Sequence, residues 1–285
     1  MSIDPNISFF ERLESARQWR DDLKINHGIR HPVWKLTHKS TAHKWAKDMG
    51  LRVPENLATY KNIESLKLDD LPERFIIKPN RGSTSRGVYA LSRRENEWFE
   101  SFTNNSIEIP DLIAQYSRFA SQDRISKDFL VQEFIDDGHG QNHLPIDWKF
   151  YTFNGKIGLI LGREATGSRP GSNYRLRFFD ENWNDVGNIS PKQNVDPSLP
   201  MPKHPMELLE VARDLSRKIP LPFVRIDLYD SANGPYFGEV TPLPGSSPYI
   251  PEIDSKLGSL WRDTELQLEA NRINDGQLFI EGLHG

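Results

Sequence analysis

The chain has 285 residues, 27% of them charged and 36% hydrophobic, and 36 Lys and Arg stand against 40 Asp and Glu for a net charge of −4. That is enough chain for a large buried core and is not the composition of a disordered protein, while the slightly acidic balance weighs against a nucleic-acid or membrane-surface binder. Cysteine is absent, which excludes a disulfide framework, a thiolate metal site and a cysteine nucleophile.

Met1 to Glu11 holds no basic segment followed by an apolar one, so no signal peptide is read there. Residues 8–25 set Phe9, Phe10, Leu13, Ala16 and Leu23 among charges, which predicts an amphipathic helix. Ser40 or Thr41 is the expected cap of a second helix, running to Met49 and stopped by Gly50, with Leu51 to Pro54 extended after it. Phe75 to Lys78 predicts a strand ended by Pro79, and Val88 to Leu91 a second one. Helices are expected over 93–103 and 109–121, then a strand from Phe129 to Ile135. Asp147 to Phe153 and Lys156 to Leu161 flank Asn154-Gly155, a strong hairpin signal, and a loop with Gly167, Pro170 and Gly171 follows. Leu208, Leu209, Ala212 and Leu215 predict a helix over 204–218. Phe223 to Tyr229 and Tyr236 to Val240 read as a hairpin around Asn233-Gly234, and 252–271 as a last helix. Helices and hairpins mix without βαβ regularity, so the class is α+β. The longest apolar stretch, Ile157 to Leu161, is far short of the ~20 residues of a spanning helix; a cytoplasmic protein with no membrane span is expected.

Residues 80–87, Asn-Arg-Gly-Ser-Thr-Ser-Arg-Gly, join two predicted strands. Small residues let a backbone approach a ligand closely, and consecutive N–H groups make an anion-binding concavity. Ser83, Thr84 and Ser85 add hydroxyl donors, and Lys78 a point charge suited to phosphate. The pattern is neither a Walker A loop nor a Rossmann fingerprint, since no helix follows. It reads either as a strand–loop–strand flap over phosphates or as a solvated hairpin loop.

In Arg225-Ile-Asp-Leu-Tyr229, alternation puts Arg225 and Asp227 on one face and Ile226 and Leu228 on the other. A hairpin closed around 231–235 sets Asp227 opposite Glu239, where like charges repel. A cation between them would relieve the conflict. Oxygen ligands suit Mg²⁺ and its bound phosphates, and Thr241 shares the face of Glu239. The alternative is two solvated carboxylates. Pro242 to Pro248 cannot be regular structure; it either lets a substrate approach the backbone or turns the chain into the last helix. His27, His31, His38 and His43 lack the second ligand pair of a zinc site and read as helix-surface residues. Trp34, Trp45, Trp148 and Trp183 read as core.

Taken in order, Lys78 before the small-residue loop, Val131-Gln-Glu-Phe-Ile135, Arg225-Ile-Asp227 and Glu239-Val-Thr-Pro-Leu-Pro-Gly245 resemble the motifs of ATP-grasp enzymes. The stretch from Lys39 to Pro54 looks like the opening of their nucleotide-binding module. Asp147-Trp-Lys-Phe-Tyr-Thr-Phe-Asn-Gly155, Phe178-Phe-Asp-Glu-Asn-Trp183 and Tyr236 to Gly245 are similar to strings of the TupA-like ATP-grasp amidoligases, named from teichuronopeptide biosynthesis. The resemblance spans about residues 34–250.

It implies an ATP-grasp fold of two α+β lobes with nucleotide between them and a truncated N-terminal region. Its divisions would be an N-terminal helical segment at 1–54, a small flap subdomain at 55–133 and a large subdomain with the Mg²⁺ site at 134–285. Lys39 and Lys78 would contact ATP phosphates, and Gly82, Ser83, Thr84 and Ser85 would close over them. Gln132, Glu133 and Ile135 would hold adenine, and Asp147 the ribose hydroxyls. Asp227, Glu239 and Thr241 would bind Mg²⁺. Arg225 would stabilise the oxyanion, and Gly245 and Ser246 would border the acceptor. Thr241 stands where related D-alanine ligases carry Asn, which weakens the case for a second Mg²⁺. The N-terminal substrate domain of those enzymes is nearly absent, so acceptor recognition is sought at residues 162–177. There Arg163, Arg169, Arg175 and Arg177 either meet an anionic substrate or form a solvated basic loop.

The implied activity is ATP-dependent joining of a carboxylate to an amine through an acylphosphate. The implied partners are an acidic sugar of a surface polysaccharide, free or nucleotide-linked uronic acid, and an amino acid. Rival readings are a kinase on the same fold and a non-catalytic nucleotide-binding module.

Overall fold

The computed structural model describes residues 7–82, 85–95, 97–138, 143–165, 174–190, 195–245 and 249–277. Two antiparallel sheets organise them. The first contains β1 (Asn56–Tyr60), β2 (Arg74–Pro79), β3 (Tyr89–Arg94), β4 (Glu97–Glu100), β5 (Asn105–Ser106) and β6 (Phe129–Glu133), in the spatial order β1-β6-β2-β3-β4-β5. The second contains β7 (Asp147–Phe153), β8 (Lys156–Ala165), β9 (Tyr174–Phe179), β10 (Val224–Ser231) and β11 (Gly234–Thr241), in the order β11-β10-β7-β8-β9. Five helices accompany them: α1 (Phe9–His27), α2 (Lys39–Asp48), α3 (Ile109–Ser121), α4 (Pro205–Arg217) and α5 (Pro251–Asn274). The architecture is α+β, as the sequence predicts.

Each lobe has its own core. In the first, Phe75, Ile77, Leu91, Phe129 and Val131 of the sheet pack on Leu112 and Tyr116 of α3. The second sheet is buried on both faces. Trp148, Phe150, Ile226 and Leu228 meet Leu208, Leu209 and Ala212 of α4, together with Ala42 and Ala46 of α2. On the opposite face Tyr151, Phe153 and Phe223 meet Phe9 and Leu13 of α1 and Leu257 and Trp261 of α5. Lys149 and Asp227 share that second face, because Lys149 pairs Asp227 and Tyr151 pairs Arg225 in register. One sheet face is thus apolar where α1 and α5 cover it and charged where they do not.

Four local expectations are corrected. The helix read at 93–103 is the β3–β4 hairpin: the chain turns at Glu95 (φ 55°), and Arg94 pairs with Glu97. The charged run resembled a solvated helix face, but Trp98 packs edge-on against Phe75 of the sheet. β1, a short edge strand, carries no strong periodicity and was not expected. Residues 174–179 form β9 rather than a basic loop. Finally, α2 has no side-chain cap from its own sequence. Its first N–H groups are taken by Asn80, whose carbonyl accepts from Lys39 N at 3.2 Å and whose side-chain oxygen accepts from Ser40 N at 3.1 Å.

α1 reaches the second lobe through a close approach that needs a glycine. A Cβ on Gly258 of α5 would lie 2.9 Å from the Phe9 backbone nitrogen and would collide with the Ile7 carbonyl. Gly258→Ala is therefore expected to cost about 1–3 kcal/mol through overpacking, read as a lower urea midpoint at unchanged slope. A midpoint equal to wild type would show that α1 does not dock there.

Candidate functional site

A cavity of about 690 Å³ lies between the two sheets. Its described lining includes seven basic side chains against four acidic ones, although the whole chain has a net charge of −4. Lys78, at the end of β2, and Lys39, at the start of α2, come from different parts of the chain to the same cavity. The Lys78 ammonium lies 5.5 Å from the Tyr229 ring. Burial and the nearby Lys39 push its pKa down to about 8, against the pull of Glu239 and Asp147.

The hairpin β10–β11 places Asp227 opposite Glu239 and Arg225 opposite Thr241. A bulge lies between the Asp227 and Leu228 pairs, and Gly238 is its extra residue. A Cβ there would stand 2.9 Å from the Asp227 carbonyl oxygen and 3.1 Å from the Tyr229 ring. The bulge matters because strict alternation would put Phe237 and Glu239 on one face. Instead Phe237 enters the core and Glu239 lines the cavity. The Gly238 carbonyl accepts from His43 Nε2 at 3.1 Å, and His43 Nδ1 then accepts from Gln132 Nε2 at 3.1 Å. Burial, then Lys78, lowers the His43 pKa to about 4, so this imidazole is a neutral bridge from α2 to a strand of each sheet. It is not the helix-surface residue expected from sequence.

The like-charge conflict at Asp227 is relieved within the chain. Arg225 Nε and Nη2 each donate to the Asp227 carboxylate at 2.7 Å, and Nη2 also reaches Thr241 Oγ1 at 3.0 Å. From β7, Lys149 pairs with Asp227 and, at 2.6 Å, with Asp147. Arg163 on β8 donates to the same Asp147 oxygen at 2.7 Å. Burial alone would depress the Arg225 pKa; the charge and hydrogen bonds of Asp227 outweigh it and raise it. Burial also pushes the Glu239 pKa up, but Lys39, Lys149 and Arg225 overcome that and hold it below the usual range. The result is a connected array of acidic and basic side chains drawn from β7, β8, β10 and β11.

Two features fit a Mg²⁺ that arrives with phosphate. Asp147 Oδ1 is buried without a hydrogen-bond partner, and the Glu239 side chain is 44% exposed. No trio of His, Cys, Asp or Glu among the described residues is arranged to hold a metal by itself. That is not a mismatch, since Mg²⁺ commonly takes one or two carboxylates plus substrate phosphates and waters.

Other expected residues divide clearly. Gly82, Ser85, Glu133, Ile135, Arg163 and Gly245 line the cavity. Gly82 is anchored by a bridge to Ile125, and Ser85 Oγ lies 3.5 Å from Tyr174 OH of the other lobe. Ser83, Thr84, Arg169 and Ser246 lie outside the described residues. Gln132 does not reach the cavity with its side chain: it is fully buried against His43. Arg175 is also elsewhere. Arg163 pairs in register with Leu176, and Glu164 with Arg175; one step along β8 reverses the face. Arg175 binds Glu164 and Asp196, each at 2.7 Å, while His143 ties the same Glu164 to Asp137. Arg177 pairs with Asp185.

Sequence reasoning missed Lys149, His43 and Trp34. Trp34, read as core, is partly exposed and lines the cavity. The signal for Lys149 was available: Asp147 and Lys149 are two apart on one strand and so share a face.

A family model described as TupA-like ATPgrasp matches residues 18–262. No curated protein matches the chain. Among solved structures, a D-alanine–D-alanine ligase from Bacillus anthracis complexed with ATP is similar at 15% identity and TM-score 0.50, over 83% of this chain and 68% of that one. The D-cycloserine synthetase DcsG is similar at 13% identity and TM-score 0.49, over 88% and 80%. At such identity the Bacillus anthracis enzyme shows a shared fold.

Proposed function

The chain belongs to the TupA-like ATP-grasp family, and from that premise we propose that it is an ATP-dependent ligase joining a carboxylate to an amine through an acylphosphate. The observation that carries this reading is the cation-rich cavity between the two sheets, with a partly buried Arg225 held beside two carboxylates. No helix among the described residues is long and apolar enough to cross a membrane.

In this reading residues 55–133 form the lobe that closes over nucleotide, residues 134–285 carry the metal-binding side chains, and residues 1–54 pack against the core. The substrate carboxylate attacks the γ-phosphorus of ATP, and ADP leaves. Lys39 and Lys78 offset charge on the phosphates, as do backbone N–H groups of the loop at 80–87. Glu133 and Ile135 border the adenine, and Asp147 Oδ1 accepts from a ribose hydroxyl or faces the metal. Mg²⁺ would be held through Glu239 and Thr241 together with phosphate oxygens, and through Asp227 once one of its oxygens is released from Arg225 or Lys149, and would neutralise charge on the transferred group. An amine then attacks the acyl carbon. Arg225 Nε and Nη2 are committed to Asp227, which leaves Nη1 for the developing oxyanion. Phosphate departs and the amide remains.

The acid we assign is a uronic acid, free or nucleotide-linked, of a surface polysaccharide, and the amine is an amino acid. The family resemblance supports that choice, and the basic cavity suits an acidic substrate. The test is ADP release from Mg²⁺-ATP with uronic acids and UDP-uronic acids, with and without amino acids, in the presence of hydroxylamine. ADP with a hydroxamate supports the ligase. ADP with a stable phosphate ester and no hydroxamate replaces it with a kinase.

Lys78 gives a pH signature. With a pKa of about 8, its charge is present below that pH and lost above it. ATP affinity is therefore expected to fall as pH rises through about 8 to 9. Lys78→Arg keeps its charge through this range, so its affinity should stay flat. Parallel curves for the two proteins would remove Lys78 from the phosphate site.

A further inference from the structure

Beyond its first two turns α1 carries two arginines on the side that its N-terminal end turns toward the core. Phe9, Leu13 and Ala16 pack in the cluster with Tyr151 and Trp261, and Arg17 and Arg20 continue that stripe at helical spacing. Arg17 is satisfied: it pairs with Glu14 and donates to the Pro244 carbonyl at 3.2 Å. Arg20 is not. It is 6% exposed, and its Nε and Nη1 are buried without a hydrogen-bond partner. Its guanidinium lies 5.9 Å from the Trp34 ring, and burial lowers its pKa to about 10. A core has no use for such a group. A buried cation without a counter-ion gives up hydration for little beyond its contact with the Trp34 ring, and an apolar residue here would complete the stripe.

Arg20 does not itself line the cavity, but it lies against the ring of a residue that does. Trp34, Pro244 and Gly245 all line it, and α1 meets this wall through Arg20 at Trp34 and Arg17 at Pro244. Trp34 is presented by a tight turn (Pro32–Thr37) that His31 caps, its Nδ1 accepting from Val33 N at 3.2 Å. Burial and Arg20 both lower the His31 pKa, so His31 remains a neutral neighbour.

We propose that Arg20 is the docking point for an oxyanion, a carboxylate or a phosphate, carried by the substrate that enters beside Trp34 and Gly245. This rests on the ligase reading and adds a substrate class to it: a molecule with an anionic group in addition to its reacting group. It also gives α1 the acceptor recognition that the sequence had suggested for residues 162–177. A guanidinium suits the task, since its several fixed donors match planar or tetrahedral oxyanions better than an ammonium does.

The test uses the full chain labelled with fluorotryptophan, whose Trp34 resonance is assigned from Trp34→Phe. It is titrated with acetate, inorganic phosphate, glucuronate, glucose phosphate and, as the neutral control, glucose. A saturable shift of Trp34 with an anion and none with glucose is expected, weakened roughly tenfold or more in Arg20→Gln and partly retained in Arg20→Lys. Response to the carboxylates alone or to the phosphates alone identifies the group. No shift with any anion, or an equal shift in Arg20→Gln, overturns the proposal. ATP titration of the same samples separates the two readings and reports folding of the variants. Wild-type protein that binds ATP without an anion response at Trp34 removes this proposal alone, whereas failure to bind ATP removes the ligase reading. Should Arg20→Gln not fold, Arg20→Lys against wild type carries the comparison.

Discussion

Lys149→Met is expected to destabilise the protein by about 3–5 kcal/mol, the usual consequence of removing one partner from a buried ion pair. The Lys149 side chain is 3% exposed and sits between Asp147 and Asp227, the latter 2% exposed. Methionine fills the volume of the aliphatic stem but supplies no charge. Arg225 still faces Asp227 and Arg163 still faces Asp147, but two carboxylates would then stand close together with a shared cation gone. Urea unfolding measures the loss. Adding Asp147→Asn removes one of the two charges and should recover part of it, since neighbouring substitutions in one network are not additive. A single-variant loss below about 1 kcal/mol, the value of an exposed pair, would show that Lys149 does not hold the array.

Glu239→Gln is expected to leave stability nearly unchanged and to lower turnover by about two to four powers of ten, the rate equivalent of several kcal/mol of metal-derived charge stabilisation. Its side chain is 44% exposed, and its contacts to Arg225 at 3.7 Å and Thr241 at 3.4 Å are long. The substitution therefore removes a charge without stranding a partner. Asp227→Asn does not separate the two effects, because Asp227 is the shared acceptor of Arg225 and Lys149. ADP release at saturating Mg²⁺-ATP, with a thermal melt of the same sample, measures both quantities. Turnover within about threefold of wild type would exclude Glu239 from the metal site.

Several elements were legible because their signals are local. Asn154-Gly155 specifies the tight turn of the β7–β8 hairpin, with φ of 45° and 91° at the two residues. The stripe Leu208, Leu209, Ala212 and Leu215 fixes the buried face of α4. The alternation of Arg225, Ile226, Asp227 and Leu228 sorts charge from core along β10. The hairpin at 93–103 was illegible because its charges fit a helix surface as well as a strand edge, and edge-on packing of Trp98 against Phe75 decides between them.

The sequence by itself determined the class of the fold and the order of its main hairpins and helices, since hydrophobic period and turn chemistry act over a few residues. Only the tertiary structure decided how the charges are used. It brought Lys149 between two carboxylates, turned Arg175 away from the cavity while Arg163 faces it, and buried His43 as the brace of the Gly238 bulge. It also left Arg20 buried beside Trp34 with no hydrogen-bond partner for its Nε and Nη1. Electrostatic partners are chosen by proximity across strands and helices remote in sequence. A charged residue's spacing gives its face, but its partner and its burial follow from which faces the packed lobes bring together.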